Sequence, residues 1–174
     1  MTPHFLTRIL TLGLLAFSTL LVSCGSSTIN DPFRPTRVIV FGDSFSFIST
    51  TAAYTVNDAS TNNWASQIAA SYGVSTIVNN AAGNALVSDV QTQVNTFGAA
   101  YQAGDLVIVS AGYRDIINNA FSGGASTATA TSNGAAYATL VRSMVANGAK
   151  HIAVTNVYDL SKTPAAAIVT NLAT

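Results

Sequence analysis

Apolar residues in this chain fall in short runs separated by stretches of helical spacing. Arg37-Val38-Ile39-Val40-Phe41 reads as a buried strand that stops at Gly42. Asn62 or Asn63 can cap a helix over Trp64–Tyr72, where Trp64, Ile68 and Tyr72 are spaced four apart and Gly73 is the stop. Val74–Val78 is a second strand. Leu86, Val87, Val90, Val94 and Phe97 form one helical stripe closed by Gly98. Leu106–Val109 is a third strand, ending at Ser110-Ala111-Gly112, and Ile116-Ile117 suggests a short helical start. Ser122–Ala135 is Gly, Ser, Ala and Thr without a period, which predicts an exposed loop. A helix over about Ala136–Asn147 follows, with Tyr137, Leu140, Val141, Met144 and Val145 facing inward. Ile152–Val157 is a fourth strand, and Tyr158–Thr174 holds a turn and the start of a helix.

Strands alternating with helices predict an α/β fold: a doubly wound, flavodoxin-like, three-layer domain with a parallel sheet covered on both faces. Only four strands fit in the chain, so the pattern predicts a domain whose C-terminal part is missing. In such sheets, chemistry collects at the carboxyl ends of the strands. Ser44, Gly83 and Gly112 each follow a strand exit and are therefore expected at one edge. Ser44, two residues past Gly42, is a candidate nucleophile on that ground alone.

The start of the chain has a different character. Ile9–Val22 is an apolar run of 14 residues behind a weakly basic start, whereas a bilayer span takes roughly 20. It reads as a secretory signal. The run ends in Leu21-Val22-Ser23-Cys24, which resembles a bacterial lipobox, and Cys24 is the only cysteine in the chain. The expected organisation is a lipoprotein signal peptide over 1–23, a lipidated N-terminus and tether over 24–36, and one domain over 37–174. The expected location is the bacterial envelope, membrane-anchored through the lipid on Cys24.

The chain has seven acidic residues, all aspartates, against seven Lys and Arg. This balance leaves no basic patch for nucleic acid and no acidic tail. The aspartates are scattered, so no metal and no cofactor is expected. The oligomeric state is left open.

Three blocks carry a family resemblance. Phe41-Gly42-Asp43-Ser44-Phe45-Ser46, Gly83 within Asn80-Ala81-Ala82-Gly83-Asn84, and Gly112-Tyr113-Arg114-Asp115 resemble, in order, the first three motifs of the GDSL or SGNH esterases and lipases. Phe45 stands where leucine is usual. Asp159-Leu160-Ser161-Lys162-Thr163-Pro164 is similar to a segment that many relatives carry past strand four. The resemblance implies an SGNH-type fold and hydrolysis of carboxylic esters through an acyl-serine. It implies Ser44 as nucleophile and the N–H groups of Ser44 and Gly83 as oxyanion donors. The third donor would be the side chain at position 114.

Two departures qualify that expectation. Arg114 occupies the position of the family's asparagine, and its long fork cannot overlay a short amide. It reaches the oxyanion, binds an acidic substrate group, or pairs with Asp115 or another local carboxylate. The family's late Asp-x-x-His block is absent from these 174 residues. His4 belongs to the signal, and His151 opens strand four, roughly 17 Å from Ser44 at about 3.3 Å per strand residue. A general base needs hydrogen-bond reach, so His151 is excluded as the partner of Ser44.

Other groups have simpler readings. Asp43 braces the serine turn, Trp64 anchors the core, and Asp58, Asn62 and Asn63 shape turns rather than a substrate mouth. The leading expectation is a lipid-anchored ester hydrolase acting on a small-molecule, lipid or glycan ester. Activity of the 174-residue form itself is left undecided by the missing histidine. The alternative is a non-catalytic surface lipoprotein that binds a glycan or other ligand on the same fold. A nucleotide binder ranks behind both, because no phosphate-cradling glycine loop with lysine is present.

Overall fold

The computed structural model describes residues 32–48, 62–123 and 126–163. The signal segment, Cys24, most of the expected tether, Asp58 and the expected C-terminal helix start lie outside the described residues. The chain divides into two compact units, Met1–Phe33 and Arg34–Thr174, and every described strand and helix belongs to the second.

Four strands form one parallel sheet: β1 (Arg37–Gly42), β2 (Ile77–Asn79), β3 (Asp105–Ser110) and β4 (His151–Val154), in the order β2-β1-β3-β4. Between them run α1 (Trp64–Ser71), α2 (Val87–Phe97), α3 (Tyr113–Phe121) and α4 (Thr127–Ala146), and a 3-10 turn (Leu160–Lys162) follows β4. The register runs Val38 opposite Ile77 and Leu106, Gly42 opposite Ser110, and Leu106 opposite His151.

Strand side chains alternate between faces, and here both faces are covered. Ile39, Phe41, Val107 and Val109 pack against Val90 and Val94 of α2 and Leu140 and Met144 of α4. Val38, Val40 and Ile108 pack on the other side against Ala65 and Ala69 of α1. The three layers of the expected fold follow, and β1, central and fully buried, is its axis. Each large aliphatic side chain buried this way contributes about 1.5–3 kcal/mol.

Three boundaries and the facing of one residue differ from the sequence pattern. Residues 127–135 are not a loop but the first half of α4, which has 20 residues. Ser126 Oγ caps this helix by accepting the Thr129 N–H at 3.1 Å, and continuity with the packed second half, where Leu140 and Met144 are buried, carries it. Most of that half is exposed, so it shows no apolar period. Val145, expected to face inward, is 58% exposed, because the buried stripe of α4 is Leu140 and Met144. β2 begins at Ile77 rather than Val74. The Val74 N–H is held by Ala69 C=O at 2.9 Å, behind Gly73 in the left-handed region, as part of the α1 terminus. β4 ends at Val154, and Val157 instead packs on Ile117 and Leu160.

β1 and β3 are tied at their amino ends by Arg37 and Asp105. The guanidinium donates to Asp105 from Nε at 2.8 Å and from Nη2 at 2.7 Å, and the Gln102 N–H donates to the same carboxylate. Burial pushes the Asp105 carboxyl up, but the Arg37 and Gln102 hydrogen bonds outweigh it and hold it below the usual range. A carboxyl with a depressed folded-state pKa contributes stability that is present above its unfolded value near 4 and lost as pH falls through the folded value. Asp105→Ala is therefore expected to cost roughly 3 kcal/mol at pH 7. The gap between variant and native chain should narrow below about pH 4. Urea unfolding at pH 7 and pH 3 checks this, and an unchanged gap would refute the ion pair as its source.

Candidate active site

The exit of β1 determines where the serine stands. Gly42 has φ 156°, and a Cβ there would lie 2.7 Å from Ser110 C=O and 2.9 Å from Ser46 Oγ. Only glycine lets the strand turn this close to its neighbour. Its backbone is held from both sides: the Gly42 N–H donates to Gln93 Oε1 and Gln93 Nε2 donates to Gly42 C=O, each at 2.9 Å. The Ala82 N–H also donates to Gly42 C=O, at 3.0 Å. Gln93 of α2 thus supplies to β1 the pairing that β2, which ends at Asn79, no longer offers.

Asp43 braces the next turn, as expected. Its carbonyl accepts the N–H groups of Ser46 and Phe47 at 3.0 Å, and its Oδ1 accepts the Phe45 N–H at 3.1 Å. The side chain is 1% exposed and Oδ2 has no hydrogen-bond partner. Burial therefore pushes its carboxyl up, against the backbone hydrogen bonds that pull it down. Ser44 lies between these anchors. The Asn84 N–H donates to Ser44 Oγ at 2.7 Å.

A cavity of about 200 Å³ is lined by Asp43, Ser44, Phe45, Asn84, Tyr113 and Arg114. The first and third sequence blocks thus meet, and the second contributes Asn84. Gly83 sits one residue earlier in the same turn, which an Ala85 N–H to Ala82 C=O bond closes. Asn84 holds φ 60°, a left-handed conformation in which asparagine is tolerated. The expectation did not include this residue, since neither the family blocks nor the apolar period marks a backbone donor to Ser44 Oγ.

Gly112 (φ 100°) starts α3, with its Cβ position 3.3 Å from Val157, and so aims Tyr113 and Arg114 at the cavity. Asp115 is not the partner of Arg114: its Oδ2 accepts the Val87 N–H at 3.0 Å and so caps α2 from a neighbouring helix. Among the described residues the one ion pair is Arg37 with Asp105, and the Arg114 guanidinium is left facing the cavity. His151 begins β4 opposite Leu106, at the edge away from Ser44, as the topology required. Asn63 caps α1, accepting the Ser66 N–H at 3.0 Å and donating to Phe47 C=O at 3.2 Å, which fits its reading as a turn residue. Asp159 C=O accepts the Lys162 N–H in the 3-10 turn. Among the described residues no cluster of His, Cys, Asp or Glu is placed to hold a metal ion.

Beside this cavity is an aromatic wall. Phe45 meets Tyr113 edge-on at 4.9 Å, and Tyr113 stacks on Tyr158 at 5.5 Å and 28°. Tyr137 of α4 ties the strand exits together behind the wall, donating to Val109 C=O at 2.8 Å. Its hydroxyl pKa is pushed up to about 12, chiefly by burial.

A parallel four-stranded sheet covered by helices on both faces, with Ser44 at the exit of β1, defines a three-layer α/β protein. The chain belongs to the GDSL-like lipase/acylhydrolase family, whose model matches residues 38–173. No curated protein matches it. Among solved structures it is similar to the crystal structure of protein YxiM from Bacillus subtilis, with 19% identity and a TM-score of 0.48. That match covers 77% of this chain and 36% of YxiM, so the chain spans little more than a third of that protein's length.

The double bond between Gln93 and Gly42 yields a direct test. Gln93→Leu strands the half-buried Gly42 N–H and is expected to cost about 1–3 kcal/mol. Thr92→Leu, on the exposed side of the same turn, should stay within about 0.5 kcal/mol of native. Equal denaturation midpoints for the two variants would show that the clamp contributes nothing.

Proposed function

We propose that Ser44 is the nucleophile of a carboxylic ester hydrolase. The observation that carries this reading is the Asn84 N–H donating to Ser44 Oγ at 2.7 Å inside a cavity at the sheet's carboxyl edge. Such a donor favours the anionic oxygen that attack requires. Ser44 Oγ adds to the ester carbonyl carbon, its proton passing to a base. The tetrahedral intermediate expels the alcohol, and water then releases the acid from the acyl-serine.

The oxyanion formed in each half needs preorganised donors. The backbone N–H groups of the Ser44 and Gly83–Asn84 turns are the candidates. Arg114, uncommitted to any carboxylate among the described residues, is the third. Its charge suits an oxyanion, whereas its length suits a substrate group further out. Efficient turnover also needs a base within hydrogen-bond reach of Ser44, and His151 is at the wrong edge to supply it. That placement favours the second reading, a ligand-binding protein in which Ser44 performs no covalent chemistry.

Reaction with a fluorophosphonate separates the two readings. The ester hydrolase reading expects one covalent adduct on Ser44, absent in Ser44→Ala. Arg114→Ala should then slow labelling by up to about 10²-fold. Failure of Ser44 to label in the folded chain would leave the binding reading standing.

We also propose that the domain is exported and anchored by lipid on Cys24. The support is the Leu21-Val22-Ser23-Cys24 sequence and the lack of any other cysteine. Two or more acyl chains, at about 0.8 kcal/mol per buried methylene, hold a protein stably on a membrane. In a bacterial host the native chain should incorporate labelled palmitate and partition into detergent, whereas Cys24→Ala should do neither. Equal labelling of both would rule the anchor out.

A further inference from the structure

A second cleft, of about 180 Å³, adjoins the Ser44 cavity and shares two of its walls. Phe45 and Tyr113 line both, and Trp64 and Tyr158 complete an aromatic lining on the far side. Phe45 is 36% exposed and Tyr158 49% exposed, so part of this aromatic surface faces solvent. Ser110, Thr155 and Asn156 also line the cleft; Thr155 is engaged by the Tyr137 hydroxyl, which leaves the Ser110 hydroxyl and the Asn156 amide as the polar groups open to a ligand. Trp64 combines two roles: it packs against the α1 face of the core and it contributes to this cleft, so the core-anchor reading is incomplete.

We infer that this cleft is a subsite for a hydroxylated ring, a single sugar unit of the ester substrate. The inference rests on the ester hydrolase reading for the position of the reacting carbonyl, which would lie in the adjoining cavity beside Ser44. Three kinds of group could be placed against an aromatic wall, and the lining distinguishes them. An aliphatic acyl chain calls for apolar surface throughout. It would cover the Ser110 hydroxyl and the Asn156 amide without giving them a partner. A plain aryl group fills the same wall but leaves the same polar groups unanswered, and a site built with hydrogen-bonding groups discriminates strongly against a ligand lacking them. A sugar ring satisfies both halves: its C–H face meets the electron-rich faces of the rings, and its hydroxyls pair with the Ser110 hydroxyl and the Asn156 amide. The cleft is also short, suited to one ring rather than to a long chain.

The wall is stiff enough to act as a platform. Phe45 follows the nucleophile directly and is fixed by the Phe45 N–H bond to Asp43. Tyr113 begins α3, and Tyr158 hydrogen-bonds to it, which together with burial raises the Tyr158 hydroxyl pKa to about 12. Rings held this way lose little freedom on binding a ligand. Phe45 also explains the departure from the family's leucine: a flat ring extends the wall where a branched aliphatic side chain would not.

Trp64 is the only tryptophan in the chain, so its emission reports on the cleft alone. Titration of the Ser44→Ala chain with cellobiose, xylobiose and chitobiose is expected to give a saturable emission change with at least one of them, at millimolar concentration. Tyr158→Ala, a change at a half-exposed position, should weaken that binding by about 5- to 10-fold. Hexanoate and benzoate serve as the aliphatic and aryl comparisons. A response to either of these with none to the sugars overturns the inference, as does no response to any probe. Ser44 is absent from the titrated chain, so the result stands apart from fluorophosphonate labelling. Labelling without sugar binding would refute the subsite alone, and sugar binding without labelling would refute the hydrolase alone.

Discussion

The placement of the site depends on how β1 ends. A central strand in a parallel sheet is paired on both sides, but here β2 stops at Asn79 while β1 runs on to Gly42. The unpaired backbone of Gly42 would be a buried liability. Gln93 removes it by offering a side-chain amide that mimics a neighbouring strand, donor to acceptor and acceptor to donor. The glycine is obligatory because Ser110 and Ser46 crowd the space its Cβ would take. With Gly42 fixed, Asp43 turns inward, and Ser44 is left at the surface of the edge, two residues beyond the sheet. Every contact of the candidate nucleophile follows from that one termination.

The same termination shows what the sequence could and could not disclose. β1 and α2 were legible because their apolar periods of two and 3.6 residues are strong and both elements are buried on the expected side. The first half of α4 was not, because a helix with solvent on most sides carries no period to read. The extent of β2 was misjudged at Val74, which is apolar because it closes the end of α1. At the site, the meeting of Ser44, the Gly83 turn and Gly112 follows from topology alone. The donor to Ser44 Oγ does not: the Asn84 N–H takes that place, at a left-handed residue that no apolar period announces. Gln93 left a faint signal, a polar side chain adjoining the Val90–Val94 stripe near the carboxyl edge. Asp115 left none, since its partner is the N-terminus of a different helix.

Arg114 is informative through what surrounds it. An arginine in the first turn of a helix opposes the helix dipole, at a cost of some tenths of a kcal/mol. A neighbouring carboxylate would offset that, and Asp115 is adjacent in sequence, but it is committed to the Val87 N–H. Asp43 lines the same cavity, yet among the described residues no ion pair joins its carboxylate to the guanidinium. A cation left uncompensated beside a serine hydroxyl is hard to account for by folding. It is readily explained by an anion that arrives from outside, whether a transient oxyanion or a charged substrate group.

Polar atoms without partners point the same way. Buried side-chain atoms are almost always hydrogen-bonded, and the exceptions here include Asp43 Oδ2, Ser46 Oγ and the Asn80 amide, all on the turns that frame Ser44. Among the described residues the others are Tyr101, near Asp105 at the amino-terminal edge, and Asn133 on α4. Each unmet group costs on the order of 1–3 kcal/mol, which the buried faces of β1 and β3 must offset. A sheet end designed for stability alone would carry apolar residues or paired ones at these positions. Sequences break local rules of this kind where function demands it. Asp43, Ser46 and Asn80 with their unmet groups, the left-handed Asn84, and Arg114, without a carboxylate partner among the described residues, lie on the three strand exits at the carboxyl edge. The amino-terminal edge, where Arg37 and Asp105 satisfy each other, carries among the described residues a single unmet group, the Tyr101 hydroxyl near Asp105. That asymmetry between the two ends of one sheet is a physical argument for the site that is independent of any family motif.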